Sequence, residues 1–168
     1  IIGVFDPGCF LIWDTLCNGK NAFQFEGIPM FPSEHFAEVN AVDSGKRKQF
    51  LKGIKQISEE GAIQVFKQPD LGVERFTIGV AGALQFEVLE YRLKNEYNVE
   101  ISIRKLAYNL ARWIVTDQFD KEMLAYTDTL LLEDQYQRPV VLFKNEWSLS
   151  RMEEKNKGVK FLDIAPVN

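Results

Sequence analysis

Cysteine and histidine are nearly absent from these 168 residues: Cys9, Cys17 and His35 are the only members of either type. Two cysteines without CxxC spacing exclude a disulfide framework and a thiolate zinc site, and they read as reduced thiols of a cytoplasmic chain. A single histidine, at the head of a predicted strand, leaves nucleophilic catalysis without a base and partner, so His35 is expected to be structural. No apolar run approaches the ~18–20 residues of a membrane span, and no basic segment precedes an apolar one as in a signal peptide. A phosphate-cradling GxxxxGK[ST] loop is missing too. The two Gly-Lys pairs, Gly19-Lys20 and Gly45-Lys46, lack the upstream glycine and are followed by Asn21 and Arg47 where a hydroxyl is needed for magnesium. Asn156-Lys157 lacks the aspartate two residues on that selects guanine.

An excess of positive charge is also lacking. Twenty Lys and Arg stand against twenty-four Asp and Glu, a net charge of −4, which excludes a surface that is a polycation throughout and confines any nucleic-acid contact to a local patch. The deficit lies at the N-terminus: residues 1–34 hold 1 basic and 4 acidic groups, 35–104 hold 10 and 10, and 105–168 hold 9 and 10.

What is present is an ordinary globular composition, 46% hydrophobic and 26% charged, with length for one domain or one domain plus a remnant. The opening IIGVFDPGCFLIWDTL has the apolar clusters and DPG turn of β structure without partner strands. Residues 18–34 concentrate Gly, Pro and Asn around a short FQFEGI, which predicts a last strand and a linker stiffened by Pro29 and Pro32.

From His35 the pattern becomes regular. A strand is predicted over His35–Val42, then a helix capped by Asp43 or Ser44 with apolar positions Phe50, Leu51, Ile54 and Ile57 and a stop at Gly61. Strands over Ala62–Phe66 and Glu74–Val80 flank a Pro69-Asp70-Leu71-Gly72 turn. A second helix follows, with a stripe of Leu84, Val88 and Tyr91 widened by Phe86, Leu89 and Leu93, and a Glu90–Lys94 pair at i, i+4. A strand over Val99–Ile103 closes a βαββαβ order, the split βαβ or ferredoxin-like arrangement. The remainder predicts strands near Arg112–Val115, Thr129–Leu132, Val140–Phe143 and Val159–Ile164, with helices near Phe119–Tyr126 and Trp147–Lys155. It either repeats that order or extends the first sheet, and extension is the favoured expectation.

The concentrated basic feature is Lys46-Arg47-Lys48, with Lys52 and Lys55 on later turns of the first helix. Lys48, Lys52 and Lys55 follow i, i+4, i+7 spacing and so share one face, able to meet phosphates or to stand as a solvated helix surface. Arg75, Arg92, Arg104, Lys105 and Arg112 are dispersed over separate elements and predict no site. Trp113, Tyr108 and Tyr97 have rings that stack on bases elsewhere, but packing is their expected role. Glu59-Glu60 are adjacent on a helix, point in different directions and predict no acid/base pair.

Several blocks together carry a family resemblance: EGIPMFPSEHF, LKGIKQISEEGAIQVFK, GVAGALQFEVLEYRLKNEYNVE and ARWIV, with the opening IIGV strand and Trp13-Asp14-Thr15-Leu16. They resemble the translational GTPases, and within these the peptide chain release factor 3 family, from which Trp13 departs by replacing a usual glycine. The resemblance covers nearly the whole chain and weakens after Trp113.

It implies an α+β fold: a ferredoxin-like unit of the family's third-domain type over 35–104 and an additional C-terminal α/β portion over 105–168, together a domain over 31–168. The tail of a β-barrel domain and a linker over 1–30 precede it. It implies the ribosome-docking part of a cytoplasmic GTPase of translation termination, one that promotes departure of class I release factors. No catalytic residue, cofactor or metal site belongs to this part. GTP and magnesium are expected in an N-terminal domain outside this chain. The implied partners are the ribosome, through rRNA and small-subunit protein, and the GTPase and barrel domains of the same protein. Neither membrane nor DNA is a partner. Lys46, Arg47, Lys48, Lys52 and Lys55 are the candidate ribosome contacts. Strands Ile1–Val4 and Phe10–Ile12, lacking partners, predict a homodimer induced by truncation. Two alternatives stay open: a domain of another translational GTPase, and a stand-alone ferredoxin-like module that senses a small ligand, or even a small phosphatase using Asp43-Ser44-Gly45-Lys46-Arg47 as an anion nest at a helix N-terminus.

Overall fold

The computed structural model describes residues 3–5, 10, 14–19, 23, 25, 32–69, 76–116 and 128–166. The first strand, β1 (His35–Ala41), alternates so that Ala37 and Val39 turn to one side and Phe36 to the other, all three buried. Asp43 then accepts a hydrogen bond from Gly45 N at 2.8 Å and starts a short 3-10 turn, Ser44–Lys46, that leads into α1 (Arg47–Glu59). Phe50, Ile54 and Ile57 of α1 are buried at the predicted spacing, and the chain leaves the helix through Gly61 at φ +73°, a conformation glycine adopts without a Cβ clash.

β2 (Gln64–Lys67) and β3 (Phe76–Val80) follow. All five residues of β3 are buried because it lies between β1 and β2 with both faces covered. α2 (Leu84–Tyr97) ends on Asn98 in the left-handed region, φ 54°, where Val99 N donates to Leu93 O at 2.9 Å and closes the helix end. β4 (Ile101–Lys105) completes the first half.

The second half contains β5 (Leu110–Val115), β6 (Thr129–Asp134), β7 (Pro139–Phe143), α3 (Glu146–Lys155) and β8 (Lys160–Leu162). One eight-stranded sheet runs β4-β1-β3-β2-β6-β7-β5-β8, and every described pairing is antiparallel. Its second half, 8-5-7-6, has the strand order of the first, 4-1-3-2. The strand order thus recurs, and the two halves join into one sheet through β2 and β6, where Phe66 faces Asp134 and Lys67 faces Glu133.

Three apolar clusters hold this together. α1 and α2 cover one side of the first half, enclosing Val39, Phe50, Ile57, Ile78, Leu89 and Leu93. α3 covers one side of the second half, where Leu149 and Met152 meet Ile114, Val141 and Phe143. Between them lies a shared cluster from the strand faces that point away from those helices: Phe36 and Phe66 from the first half, Trp113, Leu132, Val140 and Leu142 from the second. Burying a side chain of this size contributes ~1.5–3 kcal/mol, so this shared cluster, more than the two-residue β2–β6 ladder, makes the halves one body.

Two expectations are corrected. On α2 it is Phe86, Leu89 and Leu93 that are buried, while Leu84, Val88 and Tyr91 stand on the solvent side at 72%, 53% and 68% exposure. The helix is apolar on two opposite faces, and the sheet takes only one. Lys94 pairs with Glu100 at 3.2 Å rather than with Glu90, because β4 starts close beside the helix end. The predicted barrel tail, the strands at Ile1–Val4 and Phe10–Ile12 and the 70–72 turn lie largely outside the described residues, and the helix at Phe119–Tyr126 lies wholly outside them.

Candidate functional site

The solvent side of α1 is built by its own periodicity. Phe50, Gly53, Ile54 and Ile57 face the sheet and α2, which leaves Lys48, Lys52 and Lys55 exposed together on the opposite face. Lys55 Nζ lies 3.7 Å from Glu59, an exposed i, i+4 pair of little energetic weight. Arg47 is exposed at the start of the same helix. Lys46 does not join this face: its Nζ donates to Asn98 O at 2.6 Å, so it binds the C-terminal end of α2, where orphan carbonyls concentrate negative charge. Of the five basic residues predicted as one site, the structure groups three on a face, sets Arg47 at its edge and assigns Lys46 to holding α1 against α2.

What fixes the orientation of that face is the α1–α2 seam. Gly53 is a close-approach position, since a Cβ there would lie 2.5 Å from Leu93 Cδ2 and 3.0 Å from Tyr97 Cγ. Tyr97 donates its hydroxyl to Gln56 Oε1 at 2.8 Å. Burial raises the Tyr97 phenol above its ordinary range, and the neighbouring Glu96 charge adds to that. Arg92 spans the seam with both ends of its guanidinium. It donates to Glu96 at 2.8 and 2.9 Å and to Glu60, the latter from across the helix pair. These bonds, first to Glu96 and then to Glu60, hold Arg92 above its ordinary range, and in return the Arg92 bond holds the Glu96 carboxyl below the usual value. Glu59 and Glu60 accordingly serve different partners, Lys55 and Arg92.

Of the dispersed cations, Arg104 is spent on Glu38, whose hydrogen bond raises the guanidinium, and Arg112 lies near Glu146 at 3.8 Å. Trp113, 3% exposed, is core and donates Nε1–H to Asp134 Oδ2 at 3.0 Å. Asp134 is a hub that periodicity does not reveal. It also accepts from Tyr136 N, Arg138 N and Arg138 Nε at 2.8, 3.0 and 2.7 Å. A shallow cleft of about 50 Å³ opens beside it, lined by Ser58, Gln64, Trp113, Tyr136 and Arg138. The polar groups of Asp134 and Arg138 are already committed to each other and to the chain, so the cleft offers structure rather than chemistry.

The Asp43-Ser44-Gly45-Lys46-Arg47 segment is not an open anion nest. Lys46 is tied to Asn98 O, and the helix entrance that an anion nest would use is filled by the Asp43 carboxylate accepting Gly45 N. Among the described residues no group of His, Cys, Asp and Glu has the grouping to hold a metal ion, and no helix is long and apolar enough to cross a membrane.

Comparison with known proteins places the sequence in a family. The family described as "Class II release factor RF3, C-terminal domain" matches residues 25–153. Peptide chain release factor 3 of Symbiobacterium thermophilum is 45% identical over 161 residues, covering 96% of this chain and 30% of the relative. The protein of that name from Gloeobacter violaceus is 45% identical over 169 residues, covering 99% and 32%, and that from Staphylococcus carnosus is 39% identical over 164 residues, covering 98% and 31%. The chain spans about a third of the length of the curated relatives it matches. It belongs to the family of class II release factor RF3 C-terminal domains.

Proposed function

We propose that this chain is the ribosome-docking part of a release factor 3, a cytoplasmic translational GTPase that promotes dissociation of class I release factors after termination. The observation that carries this reading is the α1 face, where Lys48, Lys52 and Lys55 stand exposed together on a chain of net charge −4. A local cationic stripe on a rigid helix suits rRNA phosphates and their neighbouring small-subunit protein. Arg47 extends the stripe, and Lys46 holds the helix that presents it.

In this reading residues 31–168 form the C-terminal α+β domain, with a ferredoxin-like split βαβ unit over 35–104 and the repeat-ordered portion over 105–168. Residues 1–30 are the tail of the preceding β-barrel domain and a linker. Catalysis, GTP and magnesium belong to the GTPase domain of the whole protein, and this part relays that domain's nucleotide state as a rigid body. Comparing Lys48→Glu/Lys52→Glu/Lys55→Glu with the unaltered chain in ribosome binding tests it. Weaker binding of the variant is expected, and unchanged affinity would return the lysines to an ordinary solvated face.

A further inference from the structure

The apolar face of α2 that the sheet does not use is the strongest unassigned feature of the molecule. Leu84, Val88 and Tyr91 are spaced i, i+4, i+7 and form a ridge along the helix, each more than half exposed. The fold does not need them, since Phe86, Leu89 and Leu93 on the opposite face make the core contact. Single exposed apolar residues are ordinary, but three in register on a rigid helix make a contiguous patch of the kind that marks an interaction surface.

Charge says what lies on it. Glu87 and Glu90 run along one side of the ridge, both exposed, and among the described residues no basic side chain answers them. The two cations of α2 are spent elsewhere, Arg92 on Glu60 and Glu96, Lys94 on Glu100. The ridge is therefore apolar with an unanswered acidic margin, the complement of a segment that is apolar on one side and basic at its edge. RNA is disfavoured by the same carboxylates, which would repel phosphate.

We infer that the Leu84–Val88–Tyr91 ridge of α2 docks a basic amphipathic segment of a partner protein, the apolar residues packing on the ridge and Lys or Arg side chains meeting Glu87 and Glu90. This surface is distinct from the α1 lysine face and does not depend on the ribosome reading.

The test is a titration of the isotope-labelled chain, followed by amide NMR, with three probes: a helical peptide of leucine and lysine only, its leucine–glutamate counterpart, and polyuridine. The inference expects the leucine–lysine peptide to shift amides of α2, Val88→Gln/Tyr91→Gln to weaken that binding about tenfold or more, and Glu87→Lys/Glu90→Lys to move the preference to the leucine–glutamate peptide. Unchanged folding of both variants is checked by their amide spectra. It is overturned if neither peptide touches α2, if both bind equally, if polyuridine shifts the α2 amides instead, or if the α2 amides shift with chain concentration alone, which would mark the ridge as a contact between copies.

Discussion

The ring of Phe66 on β2 lies 6.3 Å from that of Trp113 on β5, tilted by 52°, across the join between the two halves of the sheet. Phe36 extends the contact on the far side of Phe66, 6.2 Å away. The indole therefore does two things: it fills the shared core and donates to Asp134, the residue paired with Phe66 across the β2–β6 ladder. Trp113→Ala is expected to cost about 3–5 kcal/mol, while Trp113→Phe, which keeps most of the volume but leaves Asp134 one donor short, costs about 1–2 kcal/mol. Urea unfolding checks both. A Trp113→Ala variant as stable as the parent would mean that the halves do not depend on this core.

The two faces of α2 give opposite outcomes. Leu89→Ala, at a site 1% exposed, is expected to lose about 2–5 kcal/mol, whereas Val88→Gln, one residue earlier and 53% exposed, stays within about 0.5 kcal/mol of the parent. Thermal or urea unfolding of the pair decides whether the solvent-side ridge is free of structural duty.

Gly53 sets the helix spacing. Alanine is ordinarily about 1 kcal/mol better than glycine inside a helix, but here its Cβ would stand 2.5 Å from Leu93 Cδ2 and 3.0 Å from the base of the Tyr97 ring. The ring cannot give way without releasing its hydrogen bond to Gln56. Gly53→Ala is therefore expected to be net destabilising by about 1 kcal/mol, while Gly158→Ala, with nothing within 4 Å, is close to neutral. A stabilising Gly53→Ala in urea unfolding would contradict the close approach of α1 and α2.

Acid acts on the Arg92 clamp with a definite sign. The fold depresses the Glu96 carboxyl below its ordinary 4.5, chiefly through the Arg92 hydrogen bond. A carboxyl so shifted stabilises the fold above its unfolded value, and the contribution is lost as pH falls through the lower, folded value. Arg92→Met is thus expected to be less stable than the parent near neutrality, with the difference shrinking as pH falls below 4.5. Urea midpoints compared at neutral and acidic pH check this, and a gap that stays constant into acid contradicts it.

How far the sequence could be read follows from the same residues. In the first half, turn chemistry and periodicity agreed with the packing: Asp43 capped, Gly61 stopped the helix, and Phe50, Ile54 and Ile57 turned inward. β2 was predicted two residues early, because Ala62 and Ile63 are apolar and buried or half-buried while still leaving the turn. α2 was illegible in one respect, since a helix apolar on both faces has no periodicity that says which face the sheet takes. The rhythm of strands after residue 105 was visible, but the join between β2 and β6 depends on contacts across the whole chain. Among the candidate site residues, the i, i+4, i+7 lysines could be read from spacing alone. The capture of Lys46 by Asn98 could not, because the partner is 52 residues away.

The most direct measurement of the central claim is cosedimentation of this chain with ribosomes across a salt series, unaltered and as Lys48→Glu/Lys52→Glu/Lys55→Glu. The account predicts saturable binding whose logarithmic affinity falls with the logarithm of salt, with a slope flattened in the variant by about 2–3, on the order of one counterion per lysine–phosphate contact. Binding with the same affinity and slope in both proteins, or none at low salt, would contradict the assignment of the α1 face as the ribosome contact.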